Sequence, residues 1–210
     1  MLAIAELWDS NSETEWLSAL ERYWDFVQPR NLAVEREFDS LDASAIAHLD
    51  AEGWYTFLLD KYFRWKYTAP NRYGSTTKHL RRYVETNTLD ELYAIKSQLF
   101  SFDQEDIAHG LTIAERIKGL GIAGASGLLA LLFPTKFATV DQFVVQALRK
   151  VNNLEQKHLL ERMNPEGLRL NDGVVLIRIM RAKAQESNRR TSSTFWTPRK
   201  IDMVLWTAGR

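Results

Sequence analysis

The chain has 210 residues, 45% of them apolar and 26% charged, which is enough apolar material to bury a sizeable core and too much for a disordered chain. It contains no cysteine, which excludes disulfides, thiol nucleophiles, iron–sulfur clusters and zinc–thiolate sites. Its 27 basic and 27 acidic side chains cancel, but residues 1–60 hold thirteen acids against Arg22, Arg30 and Arg36, so a net −10 there is balanced by +10 over residues 61–210.

Helical periodicity dominates from end to end and no alternating strand pattern occurs, so an all-α fold is predicted. The N-terminal "MLAIAELWDSNSETEW" carries Glu6 and Asp9 early and has no basic region, which is wrong for a secretory signal and leads us to expect a cytoplasmic protein. The predicted helices run over 13–27, where Trp16, Leu20 and Trp24 form one stripe, then 43–49, 51–66, 75–86, 89–99 and 103–117. They continue over 122–132, 141–150, 154–162, 171–186 and 198–207. Ser12, Thr88 and Asp141 stand where helix caps are needed. Pro29, Pro70, Pro134, Pro165 and Pro198 all fall between the predicted helices. The run 186–198, "ESNRRTSSTFWTP", reads as an exposed loop before the last helix.

Two segments mix aromatic rings with cations. In "YFRWKYTAPNRY", residues 62–73, Trp65, Tyr67 and Tyr73 alternate with Arg64, Lys66 and Arg72, a composition that can stack on bases and bind phosphates. Trp54, Leu58, Tyr62 and Trp65 also fit the buried stripe of helix 51–66, whereas "APNRYGSTT" reads as a loop that exposes Arg72 and Tyr73 at a pocket rim. The C-terminal third is rich in cations, among them Arg178, Arg181, Lys183, Arg199 and Arg210, which could neutralise phosphates or form a solvated face. His48, His79, His109 and His158 show no metal-ligand spacing, so no catalytic metal is expected.

The most unusual stretch is "IKGLGIAGASGLLALLFPTKFATVDQFV", residues 117–144. From Gly119 to Phe133 it has 15 residues without a charge, short of the roughly 20 that cross a bilayer, so no membrane partner is expected. Gly119 and Gly121 flank one apolar residue, a pattern for a tight turn that leaves backbone N–H groups bare. The next helix starts with small residues, and a bare helix N-terminus beside a glycine turn is a place where a phosphate can sit.

"IKGLGIAGAS" followed by "ATVDQFV" resembles the helix–hairpin–helix and aspartate signature of the DNA base-excision glycosylases, the superfamily of endonuclease III. Gly119 and Gly121 match its hairpin glycines, Ala125 its helix alanine, and Val140 with Asp141 its closing pair. Lys118 replaces the usual proline and adds a cation beside the expected phosphate. Ala123 stands where bifunctional members carry their Schiff-base lysine, so the resemblance implies a monofunctional enzyme without an iron–sulfur cluster.

The resemblance implies one all-α unit over 1–210, a compact multi-helix bundle of two interleaved lobes. The helix–hairpin–helix would span 103–133, a loop with the Asp-bearing helix 134–150, and residues 1–100 and 165–210 would supply the second lobe. Double-stranded DNA is the implied partner, with Lys118, Gly119, Gly121 and Ala123 at the interface and no cofactor; Arg72 and Tyr73 are added to that interface from the composition of their own segment. A monovalent cation on the hairpin carbonyls of Gly119 and Gly121 is part of the same implication. Asp141 would assist hydrolysis of the glycosidic bond of a flipped-out base. An aspartate before an apolar helix is equally an N-cap, and the alternative function is a non-catalytic helix–hairpin–helix DNA-binding protein.

Overall fold

The computed structural model describes residues 2–210, and among them every regular element is helical. In chain order these are α1 (Ile4–Asp9), α2 (Glu13–Glu21), α3 (Tyr23–Phe26), a 3₁₀ turn (Pro29–Asn31), α4 (Leu32–Asp39), α5 (Ala43–Ala47), α6 (Ala51–Thr56), a π-helical segment (Phe57–Tyr62) and α7 (Phe63–Lys66). Then come α8 (Pro70–Thr86), α9 (Leu89–Leu99), α10 (Ile107–Glu115), α11 (Ile122–Leu132), α12 (Gln142–Arg149), α13 (Lys157–Arg162), α14 (Leu170–Thr191) and α15 (Pro198–Gly209). Among the described residues no helix is long and apolar enough to cross a membrane.

The uncharged run has a packing explanation. Every residue of α11 from Gly124 to Leu132 is buried, as is Ile122, so the helix is apolar all round because it is surrounded all round. Its four leucines, Leu128, Leu129, Leu131 and Leu132, are each at most 5% exposed, and burying each is worth about 1.5–3 kcal/mol. Helix α10, joined to α11 by the glycine turn, packs along it, and α14 lies against the pair. Gly173 of α14 permits that approach: a Cβ there would stand 2.9 Å from Ile122 and 3.1 Å from Leu111.

Several sequence expectations need correction. The predicted helix 13–27 breaks at Arg22, so that Tyr23 instead of Trp24 turns inward; Trp24 is half-buried and lies under the Arg36 guanidinium at 3.7 Å. Helices α1 and α4 add to the predicted set; periodicity does not announce them because each buries only a few apolar residues, Ile4, Leu7 and Trp8 in one and Phe38 in the other. The segment "APNRYGSTT" is not a loop. Pro70 occupies the first position of α8, where its missing N–H costs nothing and its fixed φ favours the helix. Pro198 does the same for α15, and α14 runs on to Thr191, taking in the first half of the expected loop 186–198.

The stripe of 51–66 is also more complex than an α-helical reading allows. Trp54, Leu58 and Tyr62 are fully buried, but Phe57–Tyr62 is π-helical, and the wider i→i+5 turns rotate the residues beyond Tyr62. Trp65 is therefore only half-buried and Lys66 is delivered toward α11.

A cleft beside the hairpin and the residues that line it

The turn between α10 and α11 carries the geometry expected of its glycines. Gly119 has φ +100°, in the left-handed region, and a Cβ there would meet the Thr76 carbonyl of α8 at 2.6 Å. Gly121 is the N-cap of α11, is exposed and has open space at its Cβ position. No side chain caps α11, and its first internal bond is Ala125 N–H to Gly121 O at 2.8 Å, so the N–H groups of the first turn have no helical partner.

Two tyrosines fix this turn. Tyr67 Oη donates to Gly119 O at 3.1 Å, and Tyr62 Oη donates to Gly124 O. Because Gly119 O accepts from Tyr67 and Gly121 O accepts from Ala125, both carbonyls expected to hold a monovalent cation already accept a hydrogen bond.

Asp141 is held from three sides. Its Oδ1 accepts from Phe143 N–H at 2.9 Å and Val144 N–H at 3.1 Å, which makes it the N-cap of α12. The N–H of Val140 donates to Ser126 Oγ on α11 at 3.0 Å, and that of Thr139 to Asp202 Oδ2 on α15 at 2.6 Å. Only Asp141 Oδ1 takes part in the capping bonds; Oδ2 is not used by them.

Asp141 lines a cavity of about 740 Å³ together with Gly121, Ala123 and Arg72, and with Tyr23, Trp65, Phe143 and Trp206. The structure thus brings four of the sequence-derived residues to one place. Lys118 is exposed and Gly119 partly so, but neither lines the cavity. Tyr73 stands apart: its hydroxyl donates to Leu59 O at 3.3 Å and accepts from Arg64 Nε at 3.3 Å, so it is tied to the 51–66 segment and is not a free rim residue.

Below the cleft runs a chain of buried polar groups that no sequence pattern connects. Arg199 donates to Asp202 Oδ1 at 2.6 Å and to Glu35 Oε1 at 3.2 Å. Glu35 also accepts from Tyr23 Oη and, at 2.7 Å, from Trp65 Nε1. These residues lie on α3, α4, α7 and α15, far apart in sequence, so no local spacing reveals them. Arg199 belongs to the cationic surplus of the C-terminal third, yet its side chain is only 13% exposed. Lys183 and Arg181 turn inward too, donating to Trp8 O and to the carbonyls of Lys136 and Gln104.

Burial pushes the Asp202 carboxyl up to about 7, against the opposing pull of Arg199 and of the Thr139 N–H. In an unfolded chain an aspartate titrates near ~3.9. Between these values the folded protein keeps a proton that the unfolded one has released, so this group's contribution to stability falls as pH rises toward 7 and is level above it. The slope approaches about 1.4 kcal/mol per pH unit for one proton. We predict that Asp202→Asn removes this slope; urea unfolding between pH 4.5 and 7.5 that gives parallel curves for the two proteins would exclude it.

The chain matches no family model, no curated protein and no solved structure.

Lys66 is a further residue of the cleft, outside the set expected at the site from the sequence. It ends α7, and its Nζ lies 3.4 Å from where a Cβ of Gly127 would stand, one helical turn beyond Ala123. Burial lowers its pKa, with Asp141 and Asp202 acting the other way. Among the described residues its Nζ has no hydrogen-bond or ion-pair partner; it stands 5.9 Å from the centre of the Trp65 ring. The signal available in the sequence is the alternation of rings and cations in 62–67, with the bracketing tyrosines on either side.

Proposed function

We propose that the chain is a DNA-binding enzyme that hydrolyses the glycosidic bond of a flipped-out altered or mispaired base. One observation carries the reading: the carboxylate of Asp141 and the uncapped N-terminus of α11 open onto the same aromatic-lined cavity of about 740 Å³. That volume suits a small planar ligand.

A base inside a duplex must leave the stack before its glycosidic bond can be reached, and cleavage builds positive charge on the sugar. In this mechanism Asp141 Oδ2, the oxygen not used in capping, faces that charge or activates the attacking water. The N–H groups at Gly121 and Ala123 hold a backbone phosphate, and Lys118, exposed on the turn before Gly119, adds a cation to that contact. Ala123 offers no amine, in keeping with hydrolysis instead of a covalent route through α11.

A second reading is a non-catalytic DNA-binding protein. It is favoured by the cap itself, since bonds to Phe143 and Val144 account for an aspartate at 141 without any chemistry.

Both readings require DNA. Gly121→Glu places a carboxylate in open space at the N-terminus of α11 and is expected to abolish duplex binding with the fold intact by circular dichroism. Lys118→Ala is expected to lower the slope of log K against log salt by about 1. Fluorescence titration with duplex DNA over a range of salt measures both effects, and no binding at low salt would sink both readings. Incubation with duplexes carrying altered bases, followed by alkaline cleavage of abasic sites, then separates enzyme from binder.

A further inference from the structure

The charges of the cleft are unequally committed. Glu35 and Asp202 are both bound by Arg199, and Asp141 spends one oxygen on two N–H groups. Three charged residues that line the cleft have no polar side-chain partner in the described residues; Arg72 and Glu166 are exposed, whereas Lys66 is half-buried, and its ammonium carries three donors.

Four of the rings that line the cleft are committed as well, Tyr67 being the exception. The Arg199 guanidinium lies 5.9 Å from the Tyr23 ring and 5.4 Å from Trp65, and that of Arg210 lies 4.1 Å from Trp206 and 5.3 Å from Phe143. Attraction between a cation and a ring face is thus already satisfied within the protein at all four. A positively charged base entering here would meet rings that hold cations and an ammonium that repels it. A neutral base with a carbonyl oxygen would supply the acceptor that Lys66 lacks. A base without such an acceptor would strip water from the ammonium and leave it unpaired, which is costly.

We propose that Lys66 is the residue that selects the base: it donates to a carbonyl oxygen of a neutral, flipped-out base, and the cleft rejects bases that carry positive charge. This rests on the glycosylase reading above and narrows its substrate class. Sites built to hydrogen-bond one group discriminate strongly against ligands lacking it, because the site's own polar atoms are then left unpaired.

The test is single-turnover excision from two sets of duplexes. One carries neutral carbonyl-bearing bases (8-oxoguanine, uracil, hypoxanthine); the other carries the cationic N-methylated bases 7-methylguanine and 3-methyladenine. The wild type is expected to excise at least one base of the first set and neither of the second. Lys66→Met is expected to lower excision of the preferred base by about 100-fold and to narrow the preference over cationic bases, with thermal unfolding confirming the fold. Lys66→Arg, which keeps donors and charge, is expected to retain the preference. Excision of the cationic set by the wild type, or a Lys66→Met variant whose losses are equal on every base, overturns the role of Lys66 and leaves the enzyme reading standing. No excision of any base by a protein that binds the duplexes overturns the enzyme reading and this one with it.

Discussion

Asp141→Asn is expected to reduce single-turnover base excision by a factor on the order of 10²–10³ while leaving thermal stability and duplex affinity nearly unchanged. The substitution is informative because the two roles open to Asp141 respond differently. As a cap, asparagine serves about as well as aspartate, since its side-chain oxygen can accept the same bonds from Phe143 and Val144. As a charged partner for a developing sugar cation, or as a base for water, it is far poorer, because it carries no charge and does not titrate. A variant that loses stability and keeps activity would mark Asp141 as a cap alone. A variant with intact stability and no excision activity, beside an active wild type, assigns the chemistry to the carboxylate. If the two proteins give the same background on every altered base, the glycosylase reading falls.

The second large effect concerns stability. Arg199→Met is expected to destabilise the protein by about 3–5 kcal/mol at pH 8, since it leaves the carboxylates of Glu35 and Asp202 buried without their counter-ion. For a chain of this length that corresponds to a fall in Tm on the order of 10 °C. Glu35 is 8% exposed and Asp202 1%, so both carboxylates depend on the guanidinium more than on solvent for their neutralisation. The deficit should shrink below pH 7, where Asp202 takes up a proton and no longer needs the partner. Denaturant unfolding at pH 6 and pH 8 measures both, and a deficit under about 1 kcal/mol at pH 8 would show that the ion pairs contribute little net. Pairing the change with Asp202→Asn should recover part of the loss, because the two residues touch and their effects cannot add.

How much of this is legible in the sequence depends on how local each feature is. The all-α character is, because helical periodicity and caps act within a few residues, and Ser12, Thr88 and Asp141 do cap α2, α9 and α12. The tight turn at Gly119 is legible for the same reason: two glycines around Leu120 leave few alternatives, and the turn has the positive φ they allow. The start of α8 escapes a local reading because proline and glycine in "APNRYGSTT" look like breakers, whereas proline in the first turn is tolerated and Gly74 has no neighbour within 4 Å to object. The π-helical segment is invisible, since a wider turn leaves no signature in residue type, and the placement of Trp65 and Lys66 is hidden with it. The polar chain from Asp202 to Tyr23 is beyond any local pattern, joining residues more than 160 positions apart. Its one trace in the sequence is that Glu35 and Asp202, both acids, have no place in a core that periodicity describes as apolar.

The clamps on residues 139 and 140 carry a consequence for whatever binds in the cleft. Ser126 and Asp202, on two separate helices, hold successive peptide groups just ahead of Asp141, and α12 holds its side chain from the other side. A carboxylate on a free loop would sample many orientations and would have to be stilled by each incoming ligand. Here that orientational freedom is surrendered once, when the chain folds, and the ligand meets an oxygen whose direction is already set.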